Sequence, residues 1–361
     1  MRTLRPGGRG AVACAALGVV FALLHPVDVV AAAEMSDQDV LAILTADQPR
    51  DKAIRKALEW IRSKQSGSGA FHKDKHGTAL TSLGIMAHLA AGVTFSDPQH
   101  GAALEKALRF VLGQQDKNGY FGSRDGSRMY GHGITTLMLA EAIGMVQEEE
   151  LEEKIRVAMK RALAVTMSAA KVKKGGQHVG GWRYQPKEQR SDLSLSGWQL
   201  MSLHAAQQVG LPVEEAVVKG AVEYAKRLTD KDGKVGYERR GDDRPALRGL
   251  GMLCFAIGRE EDKDIVTRIG KRIMKDPISW RGPWFFYRAY YDAVGMSRAR
   301  PALWEEYAPR LTKVLVDHQK KDGSWGSPPG DNESGHGTMY TTSMSVLALA
   351  VDRHVLPAYQ R

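Results

Sequence analysis

The stretch from Gly180 to Leu203 reads GGWRYQPKEQRSDLSLSGWQLMSL, and it gathers side chains able to do chemistry more densely than any other in the chain. Leu195, Trp198 and Leu203 fall near one helical stripe, so this is a loop that delivers side chains to a helix start. Ser191 or Asp192 can cap that helix, and the first-turn amides favour the ionised form of Asp192. An ionised carboxylate can hold a polar group but is in the wrong state to give up a proton. Trp182, Tyr184 and Trp198 offer aromatic faces suited to an isoprenoid, a sugar ring or a nonpolar peptide side chain, while Arg183 and Gln199 supply orienting polar atoms. In a second aromatic run, WFFYRAYY, Arg288 either pairs with an acid or faces a polar cavity.

Histidines suggest a further constellation. Aligning apolar segments on Leu83, Leu139, Leu203, Leu250 and Leu347 puts His76, His132, Ser196, Asp243 and Tyr340 at one level, seven residues before each leucine. That level would form a polar collar at a cavity mouth. His72 and His336 lie four residues before His76 and Tyr340, so a metal site is one reading and helix-starting His-Gly pairs are the other. We assign no metal and no cofactor. No GxSxG, HExxH, P-loop or CxxC pair is present.

Compartment and charge narrow the classes further. Arg2, Arg5 and Arg9, an apolar run from Ala11 to Leu24 and small residues at Ala31 to Ala33 read as a secretory signal over residues 1–33, followed by one domain over 34–361. The expected location is the periplasm or the extracellular space, with no transmembrane segment after cleavage. Cys14 leaves with the leader, so Cys254, set among apolar residues, has no disulfide partner. The net charge of +10 falls to +8 when three arginines and Asp28 are removed. The surplus is dispersed and carries no nucleic-acid motif, so nucleic acid is not an expected partner.

The elements that must position these residues come in pairs. Charged amphipathic segments run from Lys52 to Gln65, Ala102 to Gln115, Glu150 to Ala170, Glu214 to Leu228, Glu260 to Lys275 and Ala302 to Gln319. Between them lie nearly uniformly apolar ones: Thr78 to Ala91, Gly133 to Met145, Ser194 to Gln208, Pro245 to Ile257, Trp284 to Val294 and Thr338 to Val351. Six of each kind predict an outer ring of helices around an inner ring, an all-α fold. Several joints repeat one signature of Gln, three residues, Gly, one residue, aromatic. It occurs at Gln65, Gly69 and Phe71, at Gln115, Gly119 and Phe121, and at Gln319, Gly323 and Trp325. The glycine can end a helix with positive φ while the amide and ring staple neighbouring helix ends, so these residues read as structural. The third joint keeps Gly180-Gly181-Trp182, the fourth keeps Gly233 and Tyr237, and the fifth, KDPISWRGPW, is degenerate.

The stretch QKKDGSW and its variants resemble the repeat of squalene cyclases and protein prenyltransferase β subunits. MYGHG, GGWRY and SGWQLMSL are similar to exported bacterial proteins with prenyltransferase and squalene oxidase repeats. The resemblance spans the mature chain and implies an α6/α6 toroid with a central cavity. It does not imply an activity. Squalene-hopene cyclases carry an Asp-x-Asp-Asp-Thr-Ala run whose middle aspartate protonates the alkene. The matching position here is Ser194, and a serine hydroxyl is far too weak an acid. Prenyltransferases hold zinc with Asp, Cys and His, yet the position two residues before Cys254 is Met252. The thioester run of complement-type proteins is missing as well. The expected function is therefore binding of an unidentified isoprenoid, glycan or peptide ligand, or of a partner, in the central cavity. A lyase using Arg183 or Tyr184, and an atypical terpenoid-modifying enzyme using Asp192, are the alternatives.

Overall fold

The structure is a computed structural model that describes residues 48–259 and 263–353. The expected leader over residues 1–33 lies outside them, as does the predicted start of the fifth outer helix at Glu260. In chain order the α-helices are α1 (Pro49–Ser63), α2 (Gly77–Ala90), α3 (Gly101–Leu112), α4 (Arg128–Ala142), α5 (Glu149–Ala170) and α6 (Leu193–Gln208). They continue with α7 (Glu215–Leu228), α8 (Arg248–Ile257), α9 (Lys263–Lys275), α10 (Phe285–Ala299), α11 (Pro301–Asp317) and α12 (Gly337–Leu349). Among the described residues, β-structure is limited to two isolated bridges.

Odd-numbered helices are amphipathic and even-numbered ones are enclosed. Helix α7 buries one face made of Val217, Ala221, Val222, Tyr224, Ala225 and Leu228, whereas α2 is buried along its whole length. Each even helix packs on the next, and α12 returns to α2; outside them, α11 packs on α1. These contacts close an inner ring of six helices within an outer layer of six, the α/α toroid that the alternation predicts.

The repeated joint shows why its residues recur. Gln65 Nε2 donates to the carbonyl of Gly69 in its own loop at 3.0 Å and to that of Ala103 on the next outer helix at 2.7 Å. Gln115 makes the same pair of bonds to Gly119 and Ala158. Gln319 does so to Gly323 and Ala53, which ties the last outer helix to the first. Gly69 sits at φ 98°, and a Cβ there would lie 2.4 Å from the Lys106 carbonyl oxygen of the adjoining helix. Glycine is required for both reasons. The aromatic residue then tucks between the rings: its backbone N–H donates to a side chain early in the following inner helix. Phe71 uses Thr81, Phe121 uses His132, Trp182 uses Ser196 and Trp325 uses Thr342.

Two expectations change here. In the fourth joint the buried residue two after Gly233 is Val235, and Tyr237 lies outside the staple at the ring mouth. Helix α4 also begins at Arg128 and not at Gly133, because the glycines of MYGHG serve close packing and not a turn. A Cβ on Gly133 would lie 2.4 Å from the amide of Gln199 on α6.

Gln319→Ala removes the bond from the end of the last outer helix to Ala53 of α1 and the bond to Gly323 in its own loop, stranding two carbonyls, so the expected loss is about 2 kcal/mol of unfolding free energy. Urea denaturation checks this, and a change under 0.5 kcal/mol, about what ordinary surface substitutions cause, would mean the joint does not hold the ring closed.

Candidate functional site at the ring mouth

Several inner helices begin at one end of the ring, and their first turns meet there. Tyr130 of α4 hydrogen-bonds the hydroxyl of Ser194 on α6, and Tyr287 of α10 donates to the Ser194 carbonyl at 3.1 Å. Aligned helix starts concentrate unpaired N–H groups and partial positive charge, which buried carboxylates answer. Asp125 accepts the N–H groups of Thr78 and Ala79 at the start of α2. Asp192 caps α6 by accepting the Leu195 N–H at 2.8 Å. Glu333 accepts those of Phe286 and Tyr287 at 2.8 and 3.1 Å, together with the Tyr340 hydroxyl at 2.6 Å. Helix α10 borrows that cap because Trp284 before it, at φ 57°, makes no side-chain cap of its own.

Around Asp192 the centre of charge is Arg183. Its Nη1 lies 3.3 Å from Oδ2 of Asp192, and it also pairs with Glu238 and, at 3.8 Å, with Glu188. The guanidinium stacks over the rings of Tyr184 and Tyr237, 5.0 and 5.6 Å from their centroids. The two phenol oxygens are 3.4 Å apart. The Asp192 Oδ2, like Arg183 Nε and His76 Nδ1, has no well-aligned hydrogen bond, so it is an acceptor of the mouth with unused capacity.

Burial dominates the acid chemistry. It pushes Asp192 up to about 6, although the Leu195 N–H, Arg183, Tyr237 and Ser194 all pull the other way. The amide support expected from the helix start is present but outweighed. Burial likewise pushes Glu333 up to about 8 against the hydroxyl of Tyr340 and two backbone N–H groups. Near neutral pH Asp192 is mainly ionised and Glu333 mainly protonated.

The expected site residues divide into two groups. Arg183, Tyr184, Asp192, His76 and Tyr340 line or border the mouth, with the His336 ring 5.1 Å from that of Tyr340. Trp182, Trp198, Gln199 and His132 are spent on packing. The Trp182 indole donates to the Thr166 carbonyl, Gln199 bridges Met129 and Thr166, and Trp198 stacks on Tyr290 at 5.7 Å. His132, buried and held down to about 4, faces Ala162 and Thr166 of α5 and so points away from the mouth. The collar is a register error. The joint bonds make Thr81, His132, Ser196 and Thr342 equivalent, which places His76 and Tyr340 five and two residues before their level.

Trp198, Tyr290 and Tyr291 are fully buried against one another, and Tyr287 crosses from α10 to α6, so aromatic side chains fill the inner space between these two helices. Arg288 does pair with an acid, Asp292, at 3.2 Å. Cys254 is buried with its thiol pushed up to about 12, an inert state. Among the described residues no group of three or more His, Cys, Asp or Glu could hold a metal ion, and no helix is long and apolar enough to cross a membrane. Tyr130, Tyr237, Tyr287 and Glu333 are mouth residues that spacing alone does not single out. Tyr130, within MYGHG, and Tyr237, in the fourth joint, sit in stretches the family resemblance marks, and Tyr287 belongs to the aromatic run WFFYRAYY.

No family profile matches the sequence, and no curated protein does. Solved structures do share the fold. A variant of the type II terpene cyclase MstE from Scytonema, bound to its product merosterolic acid A, superposes with a TM-score of 0.56 at 13% identity over 85% of this chain and 97% of that one. A protein from Actinoplanes gives 0.52 at 16% identity over 83% and 98%. A novel alpha-amylase from Clostridium perfringens gives 0.52 at 11% over 83% and 97%. At these identities the likeness is one of architecture. The chain has the squalene cyclase-like α/α toroid fold.

Both raised carboxyls bind their proton more tightly in the folded state. The stability they contribute is complete below their ordinary values of 3.8 and 4.5 and is lost as pH rises, through about 6 for Asp192 and about 8 for Glu333. Glu333→Gln, neutral throughout, should therefore gain on the wild type by on the order of 3 kcal/mol between about pH 5 and pH 9 in urea unfolding. An unchanging difference would mean that the Glu333 carboxyl keeps one charge state across that range.

Proposed function

We propose that this is an exported toroid protein that binds a ring-shaped, hydroxyl-bearing ligand at the tyrosine-lined mouth, without squalene cyclase or protein prenyltransferase chemistry. Export rests on the leader read over residues 1–33, and the mature domain is taken as 34–361. The observation that carries the binding reading is the Asp192–Arg183 pair beneath the Tyr184 and Tyr237 rings. A carboxylate oxygen with spare accepting capacity beside two phenols suits a neutral ligand with hydroxyl groups, and the rings suit its flat faces.

The other readings meet physical obstacles. Alkene protonation needs a strong acid aimed into a large apolar chamber. Asp192 is mainly ionised near neutrality, Ser194 stands where the acid would be, and aromatic side chains fill the space between α6 and α10. A lyase acting on a carboxylated sugar needs a cation free to neutralise the substrate, but Arg183 is already shared among Asp192, Glu188 and Glu238.

Native mass spectrometry of the protein from its own host should reveal a co-purifying ligand with ring hydroxyls. Its affinity should fall about tenfold, roughly one lost hydrogen bond, in Asp192→Asn and in Tyr184→Phe. Asparagine still caps a helix, so α6 is preserved. Product analysis after incubation with squalene should find no cyclised hydrocarbon. Cyclised product above background, or unchanged affinity in both folded variants, would overturn the reading.

A further inference from the structure

The fifth outer-to-inner joint, the most degenerate form of the Gln–Gly–aromatic staple, borders a groove of ≈ 690 Å³ between the turn after α9 and the loop before α12. That is within the size range of small-molecule sites, about 300–1,000 Å³. In this joint Trp280 stacks on His318 of α11 at 4.4 Å, and the chain then turns at Gly282, whose N–H donates to the Pro329 carbonyl at 2.9 Å. This bond ties the two walls together.

The charge on those walls is unbalanced. Asp276 is engaged by Arg248 at 3.0 Å and Arg288 at 3.4 Å, while Arg288 is held from behind by the buried Asp292. The Tyr307 hydroxyl steadies Asp292 at 3.0 Å. Two arginines thus answer two acids. Lys275, Arg281 and Arg310 also line the groove, and among the described residues none of them pairs with a carboxylate. Arg310 instead donates Nε to the Ile278 carbonyl, which orients its remaining guanidinium nitrogens. Three uncompensated cations around one concavity focus a positive potential there, and guanidinium forks match the oxygens of a tetrahedral dianion.

We propose that this groove binds a phosphate ester, with Arg281, Arg310 and Lys275 holding the phosphate and Arg288 fixed as part of the floor. A free phosphate ester and a phospholipid headgroup share that chemistry. The test therefore has two arms, both on the full mature chain: calorimetric titration with glycerol 3-phosphate at low ionic strength, and co-sedimentation with vesicles of phosphatidylglycerol in phosphatidylcholine. Saturable binding of glycerol 3-phosphate is expected if the ester is free, and of the vesicles alone if it belongs to a lipid. In either case binding should fall at least tenfold in the double variant Arg281→Ala/Arg310→Ala, weaken steeply with added salt, and persist in Asp192→Asn. Both substituted arginines are exposed, and helical circular dichroism confirms that the variant remains folded. Failure of both probes to bind the wild type, or equal binding by the folded double variant, would overturn the proposal.

Discussion

A toroid of this kind brings the starts of its inner helices to one place, and each start presents N–H groups that the helix cannot use. The whole mouth is a response to that constraint. Carboxylates must answer those N–H groups, and three do, at the starts of α2, α6 and α10, with Asp192 and Glu333 fully buried and Asp125 partly so. Only Asp192 belongs to the helix it caps. Asp125 comes from the loop before α4, and Glu333 from the loop before α12, so capping also links consecutive repeats. Burial then works against the charge that the caps would prefer. A site with acids held near neutrality follows from the architecture before any ligand is considered.

The outer layer solves a different problem with one device. A glutamine amide bonds its own loop and the next outer helix, glycine allows the backbones to touch, and the aromatic residue fills the space between the rings. Where the device is complete the joints leave little room for anything else. The fifth joint departs from it, and stacking of Trp280 on His318 holds the loop instead. That replacement borders the cationic groove, whose two walls are joined by the Gly282–Pro329 bond. A local break in an otherwise consistent repeat is where function has room to sit.

The architecture was legible because its signals are periodic and local. Helix alternation, the Gln–Gly–aromatic joints and the capping aspartate can be read from residue types at short range. The mouth was legible only in part, since its partners come from separate repeats. Nothing near Glu333 in sequence says that it caps a helix starting 48 residues earlier, nor that Tyr237 leans on Tyr184. The histidine collar failed for a related reason. Counting back from leucines assumes that each leucine sits at the same depth in its helix, whereas Leu83 lies two residues after its joint partner Thr81, Leu139 seven after His132 and Leu347 five after Thr342. Arg183, Tyr184 and Asp192 come together because a short loop returns on itself through the bridge between Trp182 and Asp192.

Similarity to a terpene cyclase and to a protein described as an alpha-amylase shows how little the scaffold says about chemistry. What separates such proteins is the content of the ring. Here α6 and α10 approach across the short α8, whose Gly249 packs against Gly295 so closely that a Cβ on Gly295 would lie 2.1 Å from the Gly249 carbonyl oxygen. This contact brings Tyr290 and Tyr291 within stacking range of Trp198, and the aromatic cluster fills the space between α6 and α10. Under the reading proposed above, the groups that would meet a ligand are those at the rim, where Arg183 pairs with Asp192 and the tyrosines supply both flat faces and hydroxyls.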